Sequence, residues 1–197
     1  MAAIGAGNVS AQKSATEKFD SKMFPFAIHW DDASKTAIDC SSLNSTPAGG
    51  SGFVQAKEGH FFDEKGKRVR LFRVNVGADA AFPTHADAEK IAAHMHKFGI
   101  NAVRLHHTDT DWAKISVFDR SFDDTQHFNK EAIDKLDYFI FQLKKNGVYT
   151  NLNLKISRTF KKGDGLPDTE KLGYACKPVD LFDIGQRPGT SGGRNRR

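Results

Sequence analysis

The sequence predicts an α/β fold built on a parallel sheet, and three observations predict it. Strand-like runs alternate with helix-periodic runs, and only a glycine separates each helix from the strand that follows. Each strand also has one apolar face, while its opposite face turns polar towards the C-terminal end. A strand, a covering helix and a second parallel strand form one crossover unit, and the pattern holds two in succession.

Taken in order, residues 1–22 are small, polar and aperiodic, and read as a disordered leader. Between 23 and 52, Phe24-Pro25-Phe26, Trp30 and the run Pro47-Ala48-Gly49-Gly50-Ser51-Gly52 predict an irregular stretch docked through its aromatics. Residues 53–57, a Glu58-Gly59 turn, 61–63, a Lys65-Gly66 turn and then 68–76 predict strands joined by tight turns. A β-hairpin therefore precedes the first parallel strand. After Pro83-Thr84, the spacing of Ala88, Ile91, Ala92, Met95 and Phe98 predicts a helix, with Asp87 in its first turn and Gly99 at its end. A strand over 101–107 follows at once, and Trp112 lies in the loop beyond it. The second helix is expected over 129–146, with Ile133, Leu136, Ile140 and Leu143 as its buried stripe and Gly147 as its cap. A third parallel strand over 148–154 comes directly after. Beyond Leu154 the periodicity fades through Lys161-Lys162-Gly163-Asp164-Gly165, with no fourth unit.

Alternation along the strands sorts their side chains by face. Phe72, Val74 and Val76 oppose Leu71, Arg73 and Asn75. Val103, Leu105 and His107 oppose Ala102, Arg104 and His106. Val148, Thr150, Leu152 and Leu154 oppose Asn151, Asn153 and Lys155. An open sheet covered on both sides needs two apolar faces. A closed (β/α) barrel does not, because its sites lie at the C-terminal ends of its strands. The pattern thus favours a barrel and nominates Asn75, Arg104, His106, Asn153 and Lys155 as mouth residues. Arg104 fits two roles equally, a structural ion pair with an inward carboxylate or a place in the site.

Composition bounds the function classes. Of 197 residues, 39% are apolar, 27% are charged and sixteen are Phe, which suits a globular core and excludes a wholly disordered chain. No run approaches the ~20 apolar residues that span a bilayer, so no membrane partner is expected. Residues 1–20 lack the charged start and apolar middle of an export signal. Cys40 and Cys176 match no metal or redox spacing, and His94 and His96 stand two apart on a helix and diverge, so no metal is expected. The net charge of +5 is localised. Arg187, Arg194, Arg196 and Arg197 fall within 184–197, which holds no acid, and the remainder carries 25 basic against 24 acidic side chains. This Gly/Arg-rich tail is expected to be disordered. Four arginines without interleaved aromatics hold phosphate only weakly, so nucleic acid is not an expected partner.

Phe53-Val54 with Gly59-His60-Phe61, then Arg68-Val69-Arg70-Leu71-Phe72 and Val74-Asn75-Val76, precede Gly99-Ile100-Asn101-Ala102-Val103-Arg104-Leu105-His106. This order of hairpin, first strand and second strand resembles the start of a clan A glycoside hydrolase, and most closely family 5, the cellulase family. The resemblance runs from about Phe53 to Asp183, with 147–154 as the third strand. It implies that residues 23–183 are the N-terminal part of a (β/α)8 TIM barrel whose parent chemistry is retaining hydrolysis of O-glycosidic bonds. The implied substrate is a β-linked oligo- or polysaccharide, with no metal or organic cofactor, and such enzymes are often secreted. In that family the arginine at the Arg104 position supports the nucleophilic carboxylate and keeps it ionised. His106 would border the sugar subsite, Asn75 and Asn153 would help to form the mouth, and Trp112 would either stack on a pyranose ring or pack locally.

Two departures qualify what the resemblance implies. Retaining glycosidases need two carboxyl groups ~5–5.5 Å apart, which in this family are glutamates at the ends of the fourth and seventh strands. The glutamates here are Glu17, Glu58, Glu64, Glu89, Glu131 and Glu170, and none is expected at a strand end or follows an asparagine. Arg73 stands where the family commonly has glycine. A full barrel takes about 250 residues, so the expectation is an N-terminal fragment without the catalytic pair. The alternative is a non-catalytic carbohydrate-binding or pseudo-enzyme module.

Overall fold

The computed structural model of the chain describes residues 27–32, 34–169 and 172. The expected leader, the expected tail, Cys176 and the domain's expected end at Asp183 lie outside the described residues.

Two three-stranded sheets organise the chain. The first is antiparallel, with β1 (Gln55–Lys57), β2 (His60–Phe62) and β3 (Arg68–Val69) in chain order. The second is parallel, with β4 (Arg73–Gly77), β5 (Ala102–His106) and β6 (Tyr149–Leu152), again in chain order. The single strand expected over 68–76 is therefore two strands in different sheets. The break has a visible cause. The Asn101 side chain accepts the Phe72 amide at 2.8 Å and donates to the Arg70 carbonyl at 2.7 Å, satisfying the backbone between β3 and β4.

Helix α1 (His85–Lys97) joins β4 to β5, and α2 (Lys130–Lys145) joins β5 to β6. Both begin on side-chain caps, with Thr84 accepting the Asp87 amide and Asn129 accepting the Ala132 amide, each at 3.2 Å. Both helices cover the same face of the parallel sheet and pack on each other. Their shared core is Phe82, Ala88 and Ala92, then Val103 and Leu105, then Leu136, Phe139, Leu143 and Val148. Within α2 the buried positions are Ala132, Leu136, Phe139, Gln142 and Leu143, whereas Ile133 and Ile140 are half-buried. The stripe is turned towards Phe139, whose ring carries more apolar area than the flanking isoleucines.

The helix-facing side of β6 is only partly covered. Val148 is 1% exposed, but Leu152 is 41% and Leu154 83% exposed. The full apolar cover expected for that face is absent among the described residues, because α1 and α2 lie over β4, β5 and the start of β6 and no described helix follows. After β6 the only regular element described is a short 3-10 turn at Lys162–Asp164.

The described residues between 27 and 52 run as an irregular strap. Lys97 is 3% exposed and donates to Asp32 at 2.7 Å, and Lys90 lies over the Trp30 ring. No described helix is long and apolar enough to cross a membrane.

Candidate functional site

Parallel pairing sets residues in rows across the sheet. Asn75, Arg104 and Asn151 are lateral partners, as are Val76, Leu105 and Leu152 on the other face. Beyond β6 the Asn153 amide still donates to the Leu105 carbonyl, at 3.1 Å, so the ladder continues by one bond. Alternation returns the Asn153 side chain to the Arg104 face. There Arg104 Nε donates to Asn153 Oδ1 at 2.6 Å, and His106 Nδ1 lies 3.4 Å from the same oxygen. One carboxamide oxygen thus gathers two side chains of the adjacent strand at their C-terminal ends. Asn75 lies beside Arg104 in register but is exposed and stands outside this hydrogen-bonded group. Arg73, which stands where the resembled family commonly has glycine, is exposed on the same face.

At His107 the alternation ends. Its φ of +56° is left-handed, which turns the ring out of the strand pattern. The ring packs edge-on against His106 with centroids 4.0 Å apart and against Trp112 at 5.7 Å. Its Nδ1 forms a hydrogen bond with Ser157 Oγ. Burial pushes the His107 imidazole below its ordinary value, the His106 and Arg104 charges push the same way, and Asp109 opposes them. Trp112 is 60% exposed and extends the His106–His107 ring contact outward from the His107 side.

Sequence reasoning missed Asp109. It is 2% exposed, and its carboxylate accepts the backbone amides of Ile156 at 2.7 Å, Ser157 at 3.0 Å and Arg158 at 3.1 Å. The segment leaving β6 is thereby tied to the segment leaving β5. Further out, Arg158 Nε donates to Thr125 Oγ1 at 2.7 Å, and the guanidinium lies over the Phe118 and Phe160 rings. Asp164 accepts the amides of Thr125 at 2.7 Å and Lys161 at 2.8 Å. Burial pushes the Asp164 carboxyl up, but these amides, the Thr125 hydroxyl and the Arg158 charge outweigh it and hold it below the usual range. On the β4 side, Asp79 accepts the Ile115 amide at 2.8 Å. All three strand exits are thus cross-linked through carboxylate-to-amide bonds.

These carboxylates are committed to backbone. Among the described residues, Glu58 lies in the β1–β2 turn, Glu64 follows β2, Glu89 is in α1 and Glu131 is in α2. None ends a parallel strand. The described residues contain no group of three His, Cys, Asp or Glu side chains placed to hold a metal ion. A cavity of about 520 Å³ opens at the opposite end of the sheet, lined by Arg70, Leu71, Phe72, Asn101, Gly147 and Tyr149. It lies at the N-terminal ends of β5 and β6, away from Arg104, Asn153 and Trp112.

No family model, no curated protein and no solved structure matches this chain.

Proposed function

We propose that the chain carries part of the sugar-binding cleft of a family 5-like β-glycan hydrolase, built on the first strands of a (β/α) barrel, and that it does not hydrolyse glycan by itself. The observation that carries this reading is the convergence of Arg104 and His106 of β5 on Asn153 just past β6, with the exposed Trp112 reached from His106 through the His107 ring. Strand order that follows chain order, with both helices on one face, is the local pattern such a barrel repeats. Polar donors beside an exposed indole suit a pyranose, whose hydroxyls need hydrogen bonds and whose C–H face needs an apolar ledge. Arg104 would serve as electrostatic support in the parent chemistry, where a guanidinium beside a carboxylate favours its ionised form.

The test is a titration of the full chain with a β-1,4-linked glucose hexamer, followed by residue-resolved NMR. Shifts should cluster at Arg104, His106, Trp112 and Asn153, with no release of reducing ends from soluble β-glucan. Robust turnover that survives Arg104→Ala would refute the assignment. Binding without turnover fits the fragment and also the non-catalytic carbohydrate-binding module. Binding by a Trp112→Ala variant as tight as by the unaltered chain would remove the indole from the cleft.

A further inference from the structure

We propose that Asp109 is a positioning residue of this mouth: by holding the amides of Ile156, Ser157 and Arg158 it fixes the segment leaving β6, so that Asn153 meets Arg104. The relevance to sugar rests on the cleft reading above, whereas the positioning itself does not.

The argument starts from the ladder. Regular pairing of β6 with β5 ends at Leu152, and one further bond, from the Asn153 amide to Leu105, continues it. Past that bond the chain leaves the sheet with Leu154 exposed and no described strand on its far side, so the sheet alone does not hold it. Two contacts from the β5 exit take over. The buried Asp109 carboxylate accepts three successive amides, and the His107 ring bonds the hydroxyl of Ser157, which is itself 1% exposed. A carboxylate accepting several backbone N–H groups makes stronger bonds than neutral acceptors do. Three successive amides on one anion also fix the backbone direction of the segment. Asn153 is therefore held between a ladder bond on one side and the Asp109 contact three residues on. Its carboxamide oxygen lies within hydrogen-bond reach of Arg104 because the segment cannot swing away from β5. The left-handed backbone of His107 belongs to the same device: it redirects the chain after β5 and brings Asp109 over the β6 exit.

Asp109→Asn tests this on the full chain, because the carboxamide keeps the shape but replaces one acceptor with a donor facing the amides. Hydrogen exchange at Ile156, Ser157 and Arg158 should accelerate by about tenfold or more, with the amides of α1 and α2 unchanged. The Arg104 Nε–H resonance should shift as its bond to Asn153 is lost, and affinity for the glucose hexamer should fall by a similar factor. Thr84→Ala, which weakens the exposed N-cap of α1, should leave the Arg104 signal in place. An Arg104 resonance that stays put in Asp109→Asn overturns the proposal, whether or not the chain binds sugar. A shifted resonance together with no sugar binding by the unaltered chain supports positioning and rejects the cleft reading instead. Should Asp109→Asn fail to fold, exchange in the unaltered protein decides. Protection of those three amides approaching that of α2 supports the clamp, and unprotected exchange rejects it.

Discussion

Arg104 and Asn153 are 49 positions apart in sequence, yet alternation alone put both among the mouth residues, because a two-residue period needs no knowledge of what lies across the strand. Asp109 and Ser157 were not legible in the same way. They lie in loops, where no period operates; Asp109 is partnered by backbone amides that any sequence would offer, and Ser157 by the Asp109 carboxylate and the His107 ring. His107 marks the boundary between these regimes. Alternation assigns it to the Leu105 face, but its left-handed φ redirects the ring to His106 and Trp112. Its lowered proton affinity has a testable sign. The folded imidazole binds a proton less readily than the unfolded one, whose value is near 6.5, so unfolding takes up a proton and stability falls as pH drops below that value. The melting-temperature gap between the unaltered chain and His107→Asn, a residue that tolerates left-handed backbone, should therefore narrow on going from about pH 7.5 to about pH 5. For Asp164 the sign is the same but the cause differs, since its charged form is favoured by hydrogen bonds: its carboxyl is depressed, so its contribution is present above the unfolded value of 3.8 and is lost as pH falls below it. Asp164→Asn should cost about 1–3 kcal/mol in urea unfolding at neutral pH, from charge-assisted bonds to Thr125 and Lys161.

Helices and strands were legible wherever a long period repeats. Both helices and the second and third parallel strands stand within a few residues of the positions their patterns predict. The first parallel strand is only the later part of the run expected over 68–76. The glycines that end the helices do so in the left-handed region. Gly147 shows why that residue type is required. Its φ is +77°, and a Cβ would lie 2.6 Å from the Ser45 carbonyl of the docked strap. Gly147→Ala should therefore destabilise the chain, and calorimetry would reveal it as a lower melting temperature than for Gly59→Ala. Gly59 shares the positive φ, but a Cβ there would meet open space. What the periods did not decide was the phase of α2, since Ile133-Leu136-Ile140-Leu143 and Ala132-Leu136-Phe139-Leu143 are both helical stripes. Burial of Phe139 decides it, and Phe139→Ala should cost about 3–5 kcal/mol by denaturant titration. Nor did propensity separate β3 from β4. The division rests on the side chain of Asn101, the residue just before β5.

Across the described residues, the helices cover one face of the parallel sheet and the strap described between 27 and 52 closes over the end of α1. Lys97 is almost wholly buried at this contact, and Asp32 is its partner. Asp32→Asn should lower the melting temperature by leaving a buried ammonium without its counter-charge, and adding Lys97→Met should recover part of the loss. A double variant as unstable as the sum of two single losses would contradict that account. The other sheet face is polar and open, and the far edge of β6 ends in exposed Leu152 and Leu154. By itself the sequence determined the element types, their order and the face each side chain takes within a strand, because these depend on local periods and on residues that start or stop them. The tertiary structure alone decided which strand belongs to which sheet, which stripe of α2 is buried and which carboxylates are tied to amides. Each of those outcomes depends on a contact between segments tens of residues apart, and its energy is absent until the chain has folded.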